Sequence, residues 1–231
     1  MVEFNIFRYD PDKGGEPYFK NYKFEPEKGM TVLEGLIYIN ENMDPSVAYR
    51  ASCREAVCGS CAMHINDMYR LACKTQISVM GDKITLRPLS HLPILKDLVA
   101  DLGPFFEHFN EIKPYFIPKE TPPQKEYIQS IEQRKRIDAW LDCILCGACY
   151  GSCPVAGKDE NYLGPHALLK ALRFVDDSRD GGAKERIAVV ARENGVFRCH
   201  TVFNCQKVCP KDLDPSGAIA RLKMKTIFKK Y

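Results

Sequence analysis

Eleven cysteines in 231 residues constrain this chain more than any other feature, because all of them fall into three tight groups. Cys53, Cys58, Cys61 and Cys73 form the first, Cys143, Cys146, Cys149 and Cys153 the second, and Cys199, Cys205 and Cys209 the third. The N-terminus runs straight into Val2-Glu3-Phe4-Asn5-Ile6-Phe7, without the basic and apolar stretches of a signal or transit peptide, so a reducing compartment or a mature form is expected. Thiols there stay reduced, and an odd count would leave one sulfur over in a disulfide scaffold. Metal ligation accounts for the pattern better.

The first group reads C-x4-C-x2-C and reaches Cys73 after eleven more residues, the spacing with which plant-type ferredoxins hold a 2Fe-2S cluster. Gly59 and Ser60 let the backbone of this loop come close and point amides at the sulfurs. The fourth ligand arrives on a separate segment, Arg70-Leu71-Ala72-Cys73. A structural zinc module is the rival from another class. All-cysteine zinc sites usually show two C-x2-C knuckles, whereas one pair here is spread to x4. Colour separates the two, since iron-sulfur proteins are brown.

The second group, Cys143-x2-Cys146-x2-Cys149-x3-Cys153-Pro154, is the bacterial ferredoxin run, whose last cysteine serves the other cluster of a pair. Its partner is Cys199-x5-Cys205-x3-Cys209-Pro210, in which Val202 stands where the second cysteine belongs. Crossing the last ligands gives Cys143, Cys146, Cys149 and Cys209 to a 4Fe-4S cluster and leaves Cys153, Cys199 and Cys205 facing a second site. Valine cannot ligate iron, so that site is expected to lack a corner and hold a 3Fe-4S cluster. No cysteine is then left over.

The flanking pattern gives an α+β chain: a β-grasp plant-type ferredoxin domain over residues 1–103, then an all-helical two-cluster ferredoxin domain over 104–231. Val2 to Tyr9 and Tyr18 to Phe24 read as a hairpin, Ala62 to Asn66 and Lys83 to Arg87 as further strands, and Thr31-Val32-Leu33-Glu34 as a capping box opening a helix that ends before Pro45. Pro114, Pro118, Pro122 and Pro123 mark a surface connection between Lys113 and Gln124. Gly164-Pro165 opens a helix with an apolar stripe of Leu168, Leu169, Leu172 and Phe174. Ala183 to Asn194 reads as another, C-capped by Gly195, and Asp214-Pro215 opens the last. His64, His91, His108 and His166 show no ligand spacing and read as structural.

With 33 basic against 30 acidic residues, the net charge of +3 is too balanced for nucleic acid as the main ligand. The longest apolar stretches are short or interrupted by charge, below the ~20 residues of a membrane-spanning helix. No phosphate loop, nucleophile elbow or paired carboxylates stand out. Three clusters without a substrate pocket make a wire for single electrons, with the chemistry at either end on partner subunits.

The residues Cys53-Arg54-Glu55-Ala56-Val57-Cys58-Gly59-Ser60-Cys61-Ala62-Met63, Cys143-Ile144-Leu145-Cys146-Gly147-Ala148-Cys149, Asp177-Ser178-Arg179-Asp180 and Cys199-His200-Thr201-Val202-Phe203-Asn204-Cys205 resemble the iron-sulfur subunits of succinate dehydrogenases and quinol:fumarate reductases. The resemblance covers essentially the whole chain. It implies electron relay between the FAD of a flavoprotein subunit and quinone at a membrane anchor, of cytochrome b type or similar and with haem in some forms. That role belongs to the tricarboxylic acid cycle or to anaerobic respiration. The 2Fe-2S cluster would face the flavoprotein, the 3Fe-4S cluster the anchor, and the 4Fe-4S cluster would lie between them. This chain would carry no substrate chemistry itself and would sit peripherally on the cytoplasmic face of the membrane.

The same resemblance places Pro154, His200 and Lys223 near the quinone. Ubiquinone-reducing members carry two tryptophans just after the cysteine-proline pair, where this chain has Ala156-Gly157-Lys158, and that departure favours menaquinone. Lys223, Lys225, Lys229 and Lys230 make a basic C-terminus suited to an anionic membrane surface or simply to solvent. A redox rival is the iron-sulfur subunit of a soluble fumarate reductase with a non-quinone donor. Some of those carry extra C-terminal cysteine-rich repeats, whereas this sequence stops soon after Cys209.

Overall fold

A computed structural model describes residues 1–121 and 123–228. Pro122 of the proline-rich connection and Lys229 and Lys230 of the basic C-terminus lie outside the described residues. In chain order the strands and helices are β1 (Val2–Arg8), β2 (Tyr18–Phe24), α1 (Val32–Asn42), β3 (Ala62–Ile65), β4 (Met68–Leu71), β5 (Lys83–Arg87), β6 (Ile94–Lys96), β7 (Val99–Ala100), α2 (Gly103–Glu111), α3 (Ile131–Leu141), α4 (Ala148–Gly151), α5 (Gly164–Val175), α6 (Ala183–Val190), α7 (Asn204–Lys207) and α8 (Pro215–Phe228). They form two compact units, one of Met1–Leu102 with Ile144–Ser152, the other of Gly103–Cys143 with Cys153–Tyr231.

In the first unit a five-stranded sheet runs β2-β1-β5-β3-β4, with β1 and β5 parallel and the other neighbours antiparallel. The alternation of β1 turns Val2, Phe4 and Ile6 inward, where they meet Val32, Leu33, Leu36 and Ile39 of α1. At Gly35 the helix comes so close that an added Cβ would lie 2.7 Å from the Phe4 ring. The capping box forms as the sequence implies: the Glu34 amide donates to Thr31 Oγ1 (3.2 Å) and the Thr31 amide to Glu34 Oε2 (2.7 Å). Arg8 also points inward, a buried cation made tolerable by Asp97 (3.0 Å), Asp44 (2.9 Å) and the hydroxyls of Tyr22 and Ser46.

The second unit is helical, with α2, α3, α6 and α8 packed around α5. Leu168, Leu169, Leu172 and Phe174 of α5 are buried. Beside them Arg186 is wholly enclosed, paired with Asp180 and donating to the carbonyls of Ile112, Lys113 and Tyr115. Among its described residues the proline-rich connection has no helix or strand, and Pro118 bridges to Asp180.

One helix end differs from the sequence reading. α6 stops at Val190, four residues short of Asn194, and Gly195 is not its cap. Gly195 instead has φ −97°, and an added Cβ would lie 2.0 Å from the Val190 carbonyl oxygen. Its role is a close backbone approach, which a residue with a side chain would block. Among the described residues no helix is long and apolar enough to cross a membrane.

Candidate metal centres

The first cysteine group closes into a nest inside the sheet-bearing unit. Amides of Glu55 (3.4 Å), Val57 (3.3 Å) and Cys58 (3.2 Å) point at the Cys53 sulfur, and the Ala56 amide reaches Cys73 Sγ at 3.3 Å. Amides of Cys53 and Ser60 each lie 3.5 Å from Cys58 Sγ, and that of Cys73 lies 3.5 Å from Cys61 Sγ. The loop turns this many donors inward because Arg54 (φ 61°), Ala56 (φ 58°) and Gly59 (φ 74°) are left-handed. Cys73 is fixed by α1, whose first amides would otherwise lack partners: Val32 donates to Thr75 O (2.8 Å) and Leu33 to Ala72 O (3.1 Å). The Ala72 amide in turn bonds Cys61 O at 3.1 Å.

Electrostatics divide this set. A hydrogen bond from Ser60, aided by loop amides, lowers the Cys58 thiol to about 6, so the ligand form is ready near neutrality. Burial pushes the Cys61 thiol up to about 12. A lone thiolate there is disfavoured, and a cationic group that shares its charge is favoured. Four soft sulfur donors ringed by amides fit a 2Fe-2S cluster, whose sulfurs need such donors.

Within the second group, Leu145 (φ 52°) and Gly147 (φ 81°) turn the chain so that Cys149 enters α4. Gly59 allows the two loops of this unit to meet, since a Cβ there would lie 2.7 Å from Cys146 Cβ. Gly151 of α4 rests on the Tyr69 ring of β4 in the same way. In the helical unit, Cys143 is half-buried near the ammonium of Lys170, which lies 3.5 Å from the Trp140 carbonyl oxygen. Cys209, also half-buried, follows α7.

The helical unit brings Cys153, Cys199 and Cys205 to one recess of ≈ 330 Å³, the space open to solvent included. Val202 lines it with Tyr162, Ser216 and Ile219. Burial raises the thiols of Cys153 and Cys205, each also disfavoured by the other sulfurs nearby. Left-handed Thr201 (φ 55°) and Phe203 (φ 66°) carry the loop round, and the Thr201 amide points at Cys199 Sγ from 3.4 Å. Three thiols and an apolar fourth side suit a cluster with one corner vacant.

Exposed Pro154 and His200 border the same recess. Lys223 does not line it, and its Nζ donates to the Cys199 carbonyl at 3.0 Å. Lys225 pairs with Asp176 at 2.9 Å, so the two described lysines of the basic C-terminus both have partners within the chain. Tyr162 and Ser216 escaped the sequence reading. Neither belongs to a ligand-like spacing, and only the packing of α5 and α8 brings them to the sulfurs.

Residues 3–107 match the family described as "2Fe-2S iron-sulfur cluster binding domain", and residues 139–213 the "4Fe-4S dicluster domain". The "Succinate dehydrogenase iron-sulfur subunit" of Paracoccus denitrificans is 42% identical over 222 residues, covering 95% of this chain and 86% of that protein. The "Succinate dehydrogenase [ubiquinone] iron-sulfur subunit, mitochondrial" of Dictyostelium discoideum is 40% identical over 234 residues, covering 96% and 82%. A chain of the structure titled "Mycobacterium smegmatis Sdh1 complex in the apo form" superposes with a TM-score of 0.90 at 27% identity, over 100% of this chain and 97% of that one.

Proposed function

The chain belongs to the family of succinate dehydrogenase iron-sulfur subunits, and from that premise we propose that it relays single electrons between the FAD of a flavoprotein subunit and quinone at a membrane anchor. It is an electron-transfer subunit of an oxidoreductase complex, with a 2Fe-2S domain followed by a 4Fe-4S dicluster domain. We take the domain boundary at 103/104. Cys53, Cys58, Cys61 and Cys73 hold the 2Fe-2S cluster, Cys143, Cys146, Cys149 and Cys209 the 4Fe-4S cluster, and Cys153, Cys199 and Cys205 the 3Fe-4S cluster. Bound there, the clusters supply one-electron carriage. The chain's residues hold the sulfurs, aim donors at them and exclude water.

The observation that carries the three-iron assignment is Val202 lining the recess of Cys153, Cys199 and Cys205. Val202→Cys supplies the missing donor, so the variant complex is expected to bind one more iron and lose the isotropic oxidised three-iron EPR signal. Unchanged iron content with the signal intact would remove Val202 from the vacant corner. Succinate oxidation by the isolated chain would end the relay reading altogether.

Pro154, His200 and Lys223 are the residues we place near the quinone, the first two on the rim of the recess and the third through its bond to Cys199 O. Ala156-Gly157-Lys158 after Cys153-Pro154 supports menaquinone. The anchor, of cytochrome b type or similar, would hold the chain peripherally at the cytoplasmic face. Succinate-to-quinone and quinol-to-fumarate assays on the purified complex, with extraction of the bound quinone, test direction and quinone together. Preferred turnover with ubiquinone would refute the menaquinone reading.

A further inference from the structure

The recess of Cys153, Cys199 and Cys205 contains two buried hydroxyls to which the relay has so far given no task. Tyr162 is fully enclosed (0% exposed), and its Oη has no hydrogen-bond partner among the described residues, although it lies among the thiols of Cys199, Cys153 and Cys205. Buried hydroxyls rarely go unsatisfied. Ser216 is 5% exposed, and its Oγ stands 3.3 Å from Cys205 Sγ. Its place is fixed at the start of α8, where the Gly217 amide donates to Asp214 Oδ1 at 2.8 Å.

A cysteine that ligates iron has no proton to give, so in the Ser216–Cys205 pair the hydroxyl must be the donor. The phenol of Tyr162 faces the same choice toward the sulfurs of Cys199, Cys153 and Cys205 that surround it in the recess. We infer that Tyr162 and Ser216 donate hydrogen bonds to sulfurs of the third centre and raise its reduction potential. This rests on reading that centre as a 3Fe-4S cluster.

The reason is charge. With a cluster bound and reduced by one electron, the sulfurs would be more negative, and each O–H would keep its proton and bond to sulfur more strongly. Poor hydration of the recess amplifies the effect. Both hydroxyls therefore stabilise the reduced state more than the oxidised one, which draws electrons toward the last centre of the chain.

The test uses the intact complex and follows the three-iron EPR signal in a redox titration. A bond that strengthens on reduction by about 1 kcal/mol, the worth of an ordinary hydrogen bond, shifts the reduction equilibrium about fivefold, equivalent to about 40 mV for one electron. Tyr162→Phe and Ser216→Ala are each expected to lower the midpoint by that amount without changing iron content, and Ser216→Thr, which keeps the hydroxyl, to restore it. Unmoved midpoints in both variants, with signal and iron intact, overturn the inference. If either variant loses its cluster, electron-nuclear double resonance on the unaltered complex after exchange into D2O decides. Two exchangeable deuterons coupled to the cluster beyond that of the Thr201 amide support the inference, and none beyond it overturns it. An unaltered complex with no three-iron signal overturns the three-iron reading itself and the hydroxyl roles with it, an outcome distinct from a signal whose potential does not move.

Discussion

Gly59→Ala separates two costs that usually arrive together. Gly59 has φ +74°, and an added Cβ would lie 2.7 Å from Cys146 Cβ, 2.9 Å from Cys146 Cα and 3.2 Å from the Ile144 carbonyl oxygen. Gly81 has nearly the same backbone, φ +83°, with nothing within 4 Å. Left-handed geometry costs an alanine about 1–2 kcal/mol, offset by about 0.4–1 kcal/mol from the stiffer unfolded chain. Gly81→Ala should therefore lose no more than about 1.6 kcal/mol. At Gly59 the methyl meets backbone and a cysteine stem, neither of which can rotate away, and overpacking of that kind adds about 1–3 kcal/mol. With a shift of about 2–4 °C per kcal/mol for a chain of this size, the Gly81 variant should melt no more than about 6 °C below the parent, and the Gly59 variant about 2–12 °C lower still. The assay is a thermal scan at one fixed rate, following both far-ultraviolet circular dichroism and visible absorbance of the loaded protein. Equal shifts in the two variants would refute the idea that closeness to Cys146, rather than φ, requires glycine at 59.

Arg186→Met should cost about 3–5 kcal/mol, because Asp180 (1% exposed) loses its cation and the carbonyls of Ile112, Lys113 and Tyr115 lose their donor; a loss under about 1 kcal/mol in guanidinium unfolding would contradict this. His166, stacked on Phe105 with Nε2 2.8 Å from the Phe105 carbonyl, is lowered by burial to about 3. Between that value and the ordinary 6.5 the unfolded chain binds the extra proton and the folded one does not, so stability falls with pH below about 6.5, by up to about 1.4 kcal/mol per unit. His166→Gln should flatten thermal stability between pH 7.5 and 5.5, and an unchanged slope there would count against the cause.

Local grammar was the legible part of the sequence. Thr31 and Glu34 announced α1 because a capping box needs only three residues of spacing, and Tyr18–Phe24 and Lys83–Arg87 were readable from alternation bounded by turn formers. The cysteine groups stood out because their spacing is that of cluster-binding loops. Ser130 and Gln133 form a second capping box at α3 that the sequence also contained, in a stretch too polar to draw attention to a helix. What stayed hidden depends on distant partners. Residues Glu3–Ile6 of β1 pair with Lys83–Leu86 of β5, far along the chain, and Gly195 ends nothing because its neighbour in space is the Val190 carbonyl. Tyr162 and Ser216 were invisible for the same reason.

The first and third sites draw their donors from different parts of the chain, and this decides how each can change. Around Cys53, Cys58, Cys61 and Cys73 the donors pointed at sulfur are largely backbone amides, set by the left-handed Arg54, Ala56 and Gly59. A side-chain substitution there leaves an amide in place as long as the loop keeps its path. Val57, 58% exposed, shows the consequence: Val57→Ala keeps the amide that lies 3.3 Å from Cys53 Sγ, so the 2Fe-2S midpoint should stay where it is in a redox titration. A shift as large as that expected for Tyr162→Phe would mean that side-chain packing, not the amide ring, sets that potential. At Cys205 the group 3.3 Å from the sulfur is the side-chain hydroxyl of Ser216, and the single exchange Ser216→Ala removes it. The third site is therefore open to retuning by single substitutions, whereas the first is held by the conformation of a loop and changes only when that conformation does.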